Sequence, residues 1–252
     1  MDHQFKAHLL AGELLVGAVV SLPAPEVTEL FAALGFDWLW VDMEHGPLGI
    51  RDAQALLQAA GPGCPCLVRV PVGEEVWIKK ALDIGAAGII VPQVNSAEHA
   101  QRVVSLCKYP PDGVRGVGLA RAQGYGTRFQ EYLASANHQL VVVIQAETAD
   151  AVGNIGSIAQ VPGIDAILIG PFDLSSSLGK PGALDDPEVT SAIARVRDAC
   201  QGADMRLGAF AANVPAARAF IDQGFTLIAA GADIMFLSQA ARETLDGVTT
   251  MT

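Results

Sequence analysis

The chain has 252 residues, 51% hydrophobic and 17% charged, with a formal net charge of -11. That size and balance describe a globular protein with a large core, in one large domain or two small ones, and exclude disordered and fibrous classes. The acidic surplus argues against nucleic acid or a membrane as main partner, since both want a basic face, whereas a small anion needs only one well-placed Arg.

The apolar segment from Leu9 to Leu22 is broken by Glu13 and has no basic leader. It reads as a first strand, Leu15 to Val20, rather than a signal peptide, and no apolar run reaches the length of a membrane span. Further apolar runs follow at Trp38 to Val41, Leu67 to Val70, Gly88 to Val91, Leu140 to Ile144, Ala166 to Ile169, Leu207 to Phe210 and Thr226 to Ala229. Continuous runs of this kind suit parallel strands buried on both faces. Helical periodicity occupies Asp52 to Ala60, Glu74 to Ile84, Ala97 to Cys107, Pro187 to Cys200 and Pro215 to Gln223. The alternation predicts one (β/α)8 TIM barrel over residues 1–252; an open doubly wound sheet is the alternative, although it usually has fewer strands.

Two irregular stretches rich in Gly, Pro or Ser, Tyr109 to Thr127 and Ser175 to Asp186, are the expected lids of a site. The four cysteines, including the pair in Cys64-Pro65-Cys66, form neither a disulfide framework nor a Cys-x-x-Cys zinc pattern and read as reduced cytosolic thiols.

In such a barrel the strand C-terminal ends converge on one mouth, so the polar residues that close the apolar runs should meet there. Those residues are Asp42, Glu44 and His45 after the second strand, Arg69 within the third, Gln93 after the fourth, Gln145 and Glu147 after the fifth, and Asp173 after the sixth. Glu147 and Asp173 are metal candidates, because a carboxylate closing a buried strand is costly without a nearby cation and hard oxygen donors suit Mg2+ or Mn2+. Helix N-capping is the competing reading for both, the more serious for Asp173. His45, with Asp42 or Glu44 to orient it, is placed to move a proton near neutral pH. Arg69 between Val68 and Val70 needs an anion: either it clamps a substrate carboxylate or oxyanion, or it forms a structural ion pair with Glu44 or Asp42.

None of the five lysines lies inside an apolar strand, which counts against imine chemistry, and no Gly-x-Gly-x-x-Gly or Walker A motif supports a nucleotide cofactor. His3, His8, His99 and His138 read as solvent-facing, and Trp38 and Trp40 as core or helix-packing residues. Arg115 and Arg121, in the long glycine-rich stretch, are weak candidates for anion or subunit binding.

Five segments together, WVDMEHGP from Trp40, VRVP from Val68, AGIIVPQ from Ala87, YPPDGVRG from Tyr109 and IGPFDLS from Ile169, resemble the HpcH/HpaI aldolase family over nearly the whole chain. The resemblance implies a class II pyruvate aldolase on a (β/α)8 barrel, which cleaves 4-hydroxy-2-keto acids into pyruvate, or a close analogue such as hydroxypyruvate, and an aldehyde. It implies that Glu147 and Asp173 hold Mg2+ or Mn2+, with Co2+ as an alternative, that His45 paired with Asp42 manages protons through a bound water, and that Arg69 stabilises the enolate oxygen. By the same resemblance Gln145 contacts substrate or supports the site, the backbone N–H groups of Phe172 and Asp173 hold the substrate carboxylate, and Asp83 reaches the aldehyde site of a neighbouring subunit. It further implies a cytoplasmic hexamer made of two trimers with exchanged C-terminal helices. Phe172 stands where family members often carry a small residue, and with Phe210 it is expected to reshape the pocket. Two other readings stand beside this one: a related phosphoenolpyruvate-binding-barrel lyase or mutase, and a keto-acid sensor without turnover.

Overall fold

A computed structural model describes residues 4–249. Eight parallel strands close in sequence order into a barrel: β1 Leu15–Val20, β2 Trp38–Asp42, β3 Cys66–Arg69, β4 Gly88–Val91, β5 Val141–Ala146, β6 Ala166–Ile169, β7 Arg206–Ala211 and β8 Leu227–Ala232, with β8 pairing back onto β1. The helices are α1 Gln4–Ala11, α2 Pro25–Leu34, α3 Ile50–Ala60, α4 Glu75–Asp83, α5 Ala97–Cys107, α6 Phe129–Gln139, α7 Ala149–Ile158, α8 Pro171–Ser177, α9 Pro187–Gly202, α10 Val214–Ile221 and α11 Asp233–Thr249. The single (β/α)8 barrel expected from the apolar runs is therefore the fold, with every strand within a few residues of its expected span. No helix among the described residues is long and apolar enough to cross a membrane.

Strand parity divides the core in two. Leu39, Val41, Val68, Ile89, Val142, Ile144 and Ile167 face outward into a layer shared with the helices. Trp38, Trp40, Leu67, Ile90, Val143 and Leu168 face inward and fill the barrel. Successive side chains on a strand point to opposite faces, so stepping by two along the inward set reaches Asp42 from Trp40, Arg69 from Leu67 and Gln145 from Val143. The inward rows of β2, β3 and β5 thus bring polar groups to the mouth, above an apolar floor whose large side chains each contribute about 1.5–3 kcal/mol on burial. Trp38 and Trp40 stack with ring centroids 6.4 Å apart in this interior.

The other end is plugged by α1, whose Phe5 and Leu9 join the inward cluster. Lys6 fastens it by donating to the Leu140 carbonyl at 2.8 Å and to Asp165 at 2.9 Å. His3 lies outside the described residues; His138 is exposed, and His8 and His99 are half-buried.

The Tyr109 to Thr127 stretch departs from expectation. It connects α5 to α6 ahead of β5, so it lies at the strand N-terminal face, opposite the mouth, and cannot be a lid over its own barrel. Arg115 within it is buried: it pairs with Asp83 at 2.7 Å, donates to the Tyr132 hydroxyl at 3.2 Å and stacks 4.5 Å over the Tyr109 ring. Arg121 donates to the Ile84 carbonyl at 2.8 Å. Both arginines serve this loop's own packing. The Ser175 to Asp186 stretch begins inside α8 and continues to α9, on the mouth side as expected.

Candidate active site

The register of β2 on β3 places Asp42 directly opposite Arg69. The guanidinium meets the carboxylate in a fork, Nε to Oδ1 at 2.8 Å and Nη2 to Oδ2 at 2.6 Å, a geometry that adds direction to charge. Its Nη1 lies 2.9 Å from Glu44 Oε2 and donates to Gln145 Oε1 at 3.3 Å. The Trp40 ring lies 4.7 Å beneath the guanidinium carbon. Arg69 is therefore ion-paired, as one sequence reading had it, and also faces the mouth cavity, as the other required.

Asp42 does more than hold Arg69. Its Oδ1 accepts the backbone N–H groups of Glu44 at 3.0 Å and His45 at 3.3 Å, which shapes the turn carrying His45. The expected pairing of Asp42 with the imidazole is corrected here: Asp42 grips the His45 backbone, because its two oxygens are already committed to Arg69 and the turn. The exposed ring instead lies close enough to Glu44 to oppose, with Arg69, the rise that burial gives its pKa.

Glu147 is 2% exposed. Its Oε1 accepts the Gln93 backbone N–H at 2.8 Å and its Oε2 accepts from Gln145 Nε2 at 2.6 Å, so Gln145 bridges Arg69 to Glu147. Gln93 adopts φ +53°, a costly conformation for a residue with a side chain, and it aims that N–H at the carboxylate. Gly170 is required beside it, since a Cβ there would lie 2.6 Å from Glu147 Oε2. Burial pushes the Glu147 carboxyl up to about 7; the Gln93 N–H and Arg69 pull it down, and the charges of Glu44 and Asp173 push it further up. Burial likewise raises Glu44.

Capping does not account for these carboxylates. Thr148, not Glu147, caps α7 by accepting the Ala151 N–H at 3.0 Å. Gly170 is the cap position of α8, and Asp173 stands exposed in its first turn. Glu44 Oε2 is buried without a well-aligned hydrogen bond, its Arg69 contact being close but off the N–H direction. Three mutually repelling carboxylates thus share one guanidinium already engaged with Asp42, a donor set of hard oxygens that fits a divalent cation. No group of three or more His, Cys, Asp or Glu that could hold a metal ion converges among the described residues.

A cavity of about 490 Å³ opens at the mouth, and Trp40, Asp42, His45, Arg69, Gln145 and Asp173 line it. Glu147 touches it through Gln145 rather than lining it. A cleft of about 550 Å³ lies at the opposite end, against Cys66 and Ala87 near the strand starts. It is not the site, because barrel strands present their functional residues at their C-terminal ends. Asp83, at the C-terminal end of α4, belongs to that far side and meets Arg115 there.

One residue was missed. Asp233, 3% exposed at the start of α11, accepts the N–H groups of Ser21 and Leu22 at 2.8 Å each and the Ser21 hydroxyl at 2.7 Å. Ser21 and Leu22 line the mouth cavity. The signal was present: Asp233 closes an apolar run as Glu147 and Asp173 do.

The family model described as HpcH/HpaI aldolase/citrate lyase matches residues 17–240. The chain is 38% identical over 245 residues to a hydroxypyruvate/pyruvate aldolase of Cupriavidus necator, covering 96% of this chain and 91% of the relative. It is 40% identical over 239 residues to a 4-hydroxy-2-oxovalerate aldolase of Rhodococcus jostii, covering 94% and 92%. The crystal structure of an HpcH/HpaI aldolase/citrate lyase family protein from Burkholderia cenocepacia superposes with a TM-score of 0.95 at 37% identity, covering 98% of this chain and 99% of that one.

Proposed function

The chain belongs to the HpcH/HpaI aldolase/citrate lyase family and is a carbon–carbon lyase of the aldolase type, and we propose that its mouth site reversibly cleaves 4-hydroxy-2-keto acids into pyruvate, or a close analogue such as hydroxypyruvate, and an aldehyde. The observation that carries this reading is the continuous path Asp42–Arg69–Gln145–Glu147 at the mouth, with Asp173 beside it.

Cleavage removes the proton of the 4-hydroxyl, breaks the C3–C4 bond and leaves the electron pair in the enolate of the keto acid, which then takes a proton at C3. Arg69, held rigid by its fork on Asp42, sets permanent positive charge where the enolate oxygen develops, so little reorganisation is needed during reaction. The N–H groups of Phe172 and Asp173, unpaired in the first turn of α8, bind the substrate carboxylate. His45, on the turn that Asp42 shapes, passes the hydroxyl proton to solvent through a water. Glu147 and Asp173 would hold a divalent cation, Mg2+, Mn2+ or Co2+, which would supply Lewis-acid stabilisation of negative charge on the keto acid. Gln145 keeps the Glu147 carboxylate and Arg69 in fixed relation.

The same reading makes the protein a cytoplasmic homo-oligomer, a hexamer of two trimers that exchange α11 and lend Asp83 to a neighbour's aldehyde site. The exchange is supported by Leu237, Leu245 and Val248 of α11, which are 65%, 63% and 70% exposed in the single chain. The Asp83 assignment is supported by its distance from the mouth of its own barrel.

The test is exchange of pyruvate methyl protons with deuterated solvent, followed by NMR with chelated enzyme and after Mg2+ or Mn2+ is added. Exchange is expected only with the cation, and the Glu147→Gln variant is expected to lose it while keeping its far-UV spectrum. Pyruvate binding without exchange under any cation would overturn the reading.

A further inference from the structure

The mouth cavity has a marked asymmetry of chemistry. Arg69 is the one lysine or arginine among the residues lining it. Its Nε and Nη2 are spent on Asp42, and its Nη1 serves Glu44 and Gln145. Around it stand four carboxylates, Asp42 and Asp173 in the lining and Glu44 and Glu147 next to it. Apart from Ser21, His45 and Gln145, the side chains of the rest of the wall are apolar, Leu22, Trp40, Phe172, Phe210, Ile234 and Met235 the large ones. Phe172 and Phe210 lie with centroids 6.4 Å apart and planes tilted by 52°, a favourable aromatic arrangement that leaves Phe172 45% exposed toward the opening. The Ser21 hydroxyl at this wall already gives its proton to Asp233.

From this wall we infer that the aldehyde partner is uncharged and apolar, with an alkyl or aryl chain, rather than a semialdehyde with a second carboxylate or a polyhydroxylated aldehyde. The inference rests on the aldolase reading of the site and deepens it. A second carboxylate at the far end of the substrate would find no lysine or arginine in the lining except Arg69, which Asp42, Glu44 and Gln145 already engage, so its desolvation goes uncompensated. A polyol would surrender water at its hydroxyls and find few partners on an aromatic and aliphatic wall, so its desolvation goes uncompensated. An alkyl or aryl chain removes its own apolar surface and that of Phe172 from water together.

The experiment is a set of aldol additions of pyruvate in the presence of Mn2+ to butanal, benzaldehyde, glyceraldehyde and succinic semialdehyde, compared by kcat/KM for the aldehyde. The wild-type protein is expected to favour butanal or benzaldehyde over the other two by at least about tenfold, the scale on which apolar pockets discriminate. Phe172→Arg, at an exposed position that tolerates the change, should raise succinic semialdehyde relative to benzaldehyde by about tenfold or more. Phe210→Ser should lower the benzaldehyde preference, and Phe210→Leu, which keeps the wall apolar, should retain most of it. Equal or better use of succinic semialdehyde or glyceraldehyde by wild-type protein, or an acceptor ratio unmoved by Phe172→Arg, overturns the inference. Methyl-proton exchange of pyruvate needs no aldehyde and separates the two failures: exchange with the wrong acceptor preference leaves the aldolase reading intact, whereas absence of exchange removes that reading and the inference with it.

Discussion

At Glu147 a single proton links stability, cation binding and pH. Its carboxyl titrates near 7 in the fold against 4.5 for an ordinary Glu. Between those values the native state holds the proton more firmly than the unfolded chain does. In cation-free protein this group's contribution is therefore full below about 4.5 and falls as pH rises through about 7, by up to roughly 3 kcal/mol. A divalent cation must displace that proton, so its affinity rises over the same window. The rise in Tm on adding Mn2+ is thus expected to be larger at pH 8 than at pH 6 and to vanish in Glu147→Gln; an increment independent of pH would show that Glu147 does not hold the ion. Stabilisation by a ligand at a hundred times its Kd is about 2.7 kcal/mol, ample for a thermal scan to detect. The sequence pointed to Glu147 and to Gln93 because each follows an apolar run, but not to the role of Gln93, which lies in a backbone N–H turned by a positive φ.

The strands position these groups through their period of two, and the loops that follow refine them. Asp42, Arg69 and Gln145 extend the inward rows of β2, β3 and β5, so their convergence was readable once the strands were recognised. The loop after β6 adds a tighter condition, since Gly170 lets Glu147 approach the backbone closely. Gly170→Ala puts a Cβ 2.6 Å from Glu147 Oε2 and 3.3 Å from Gln145 Nε2, so the carboxylate must move. Mn2+ affinity, measured by calorimetric titration, is expected to fall about 10–100-fold, as for other changes that displace the supports of a ligand. Unchanged affinity would mean that Glu147 can shift without consequence. Asp233 is the element-scale surprise. One carboxylate ties the start of α11 to the end of β1 and thereby fixes Ser21 and Leu22 at the cavity.

At the scale of the whole molecule, the barrel buries its interior completely, yet Asp233 is the one residue of α11 that is buried. Met235 and Phe236 of this 17-residue helix pack against the barrel interior and Phe31, but its later apolar positions Leu237, Leu245 and Val248 stand open to water in the single chain. Light scattering is expected to give the mass of a hexamer, and Leu237→Asp combined with Leu245→Asp is expected to give smaller species with an unchanged far-UV spectrum. A monomeric wild-type protein, or a double variant of unaltered mass, would contradict the exchanged-helix assembly.

The order of elements, the barrel and the residues at its mouth were determined by the sequence alone, because alternation of strands with helices and side-chain parity are local properties of a chain. Only the tertiary structure decided what each of those residues touches. Closure of the barrel joined Arg69 to Asp42 across 27 positions and to Gln145 across 76. It turned Asp42 toward the His45 backbone rather than the ring, sent the Tyr109 to Thr127 stretch and Asp83 to the far face, and joined Asp233 to Ser21 across 212 positions. Such pairings follow from strand register and chain closure, which bring remote residues within hydrogen-bond distance and leave little trace in the residues beside them.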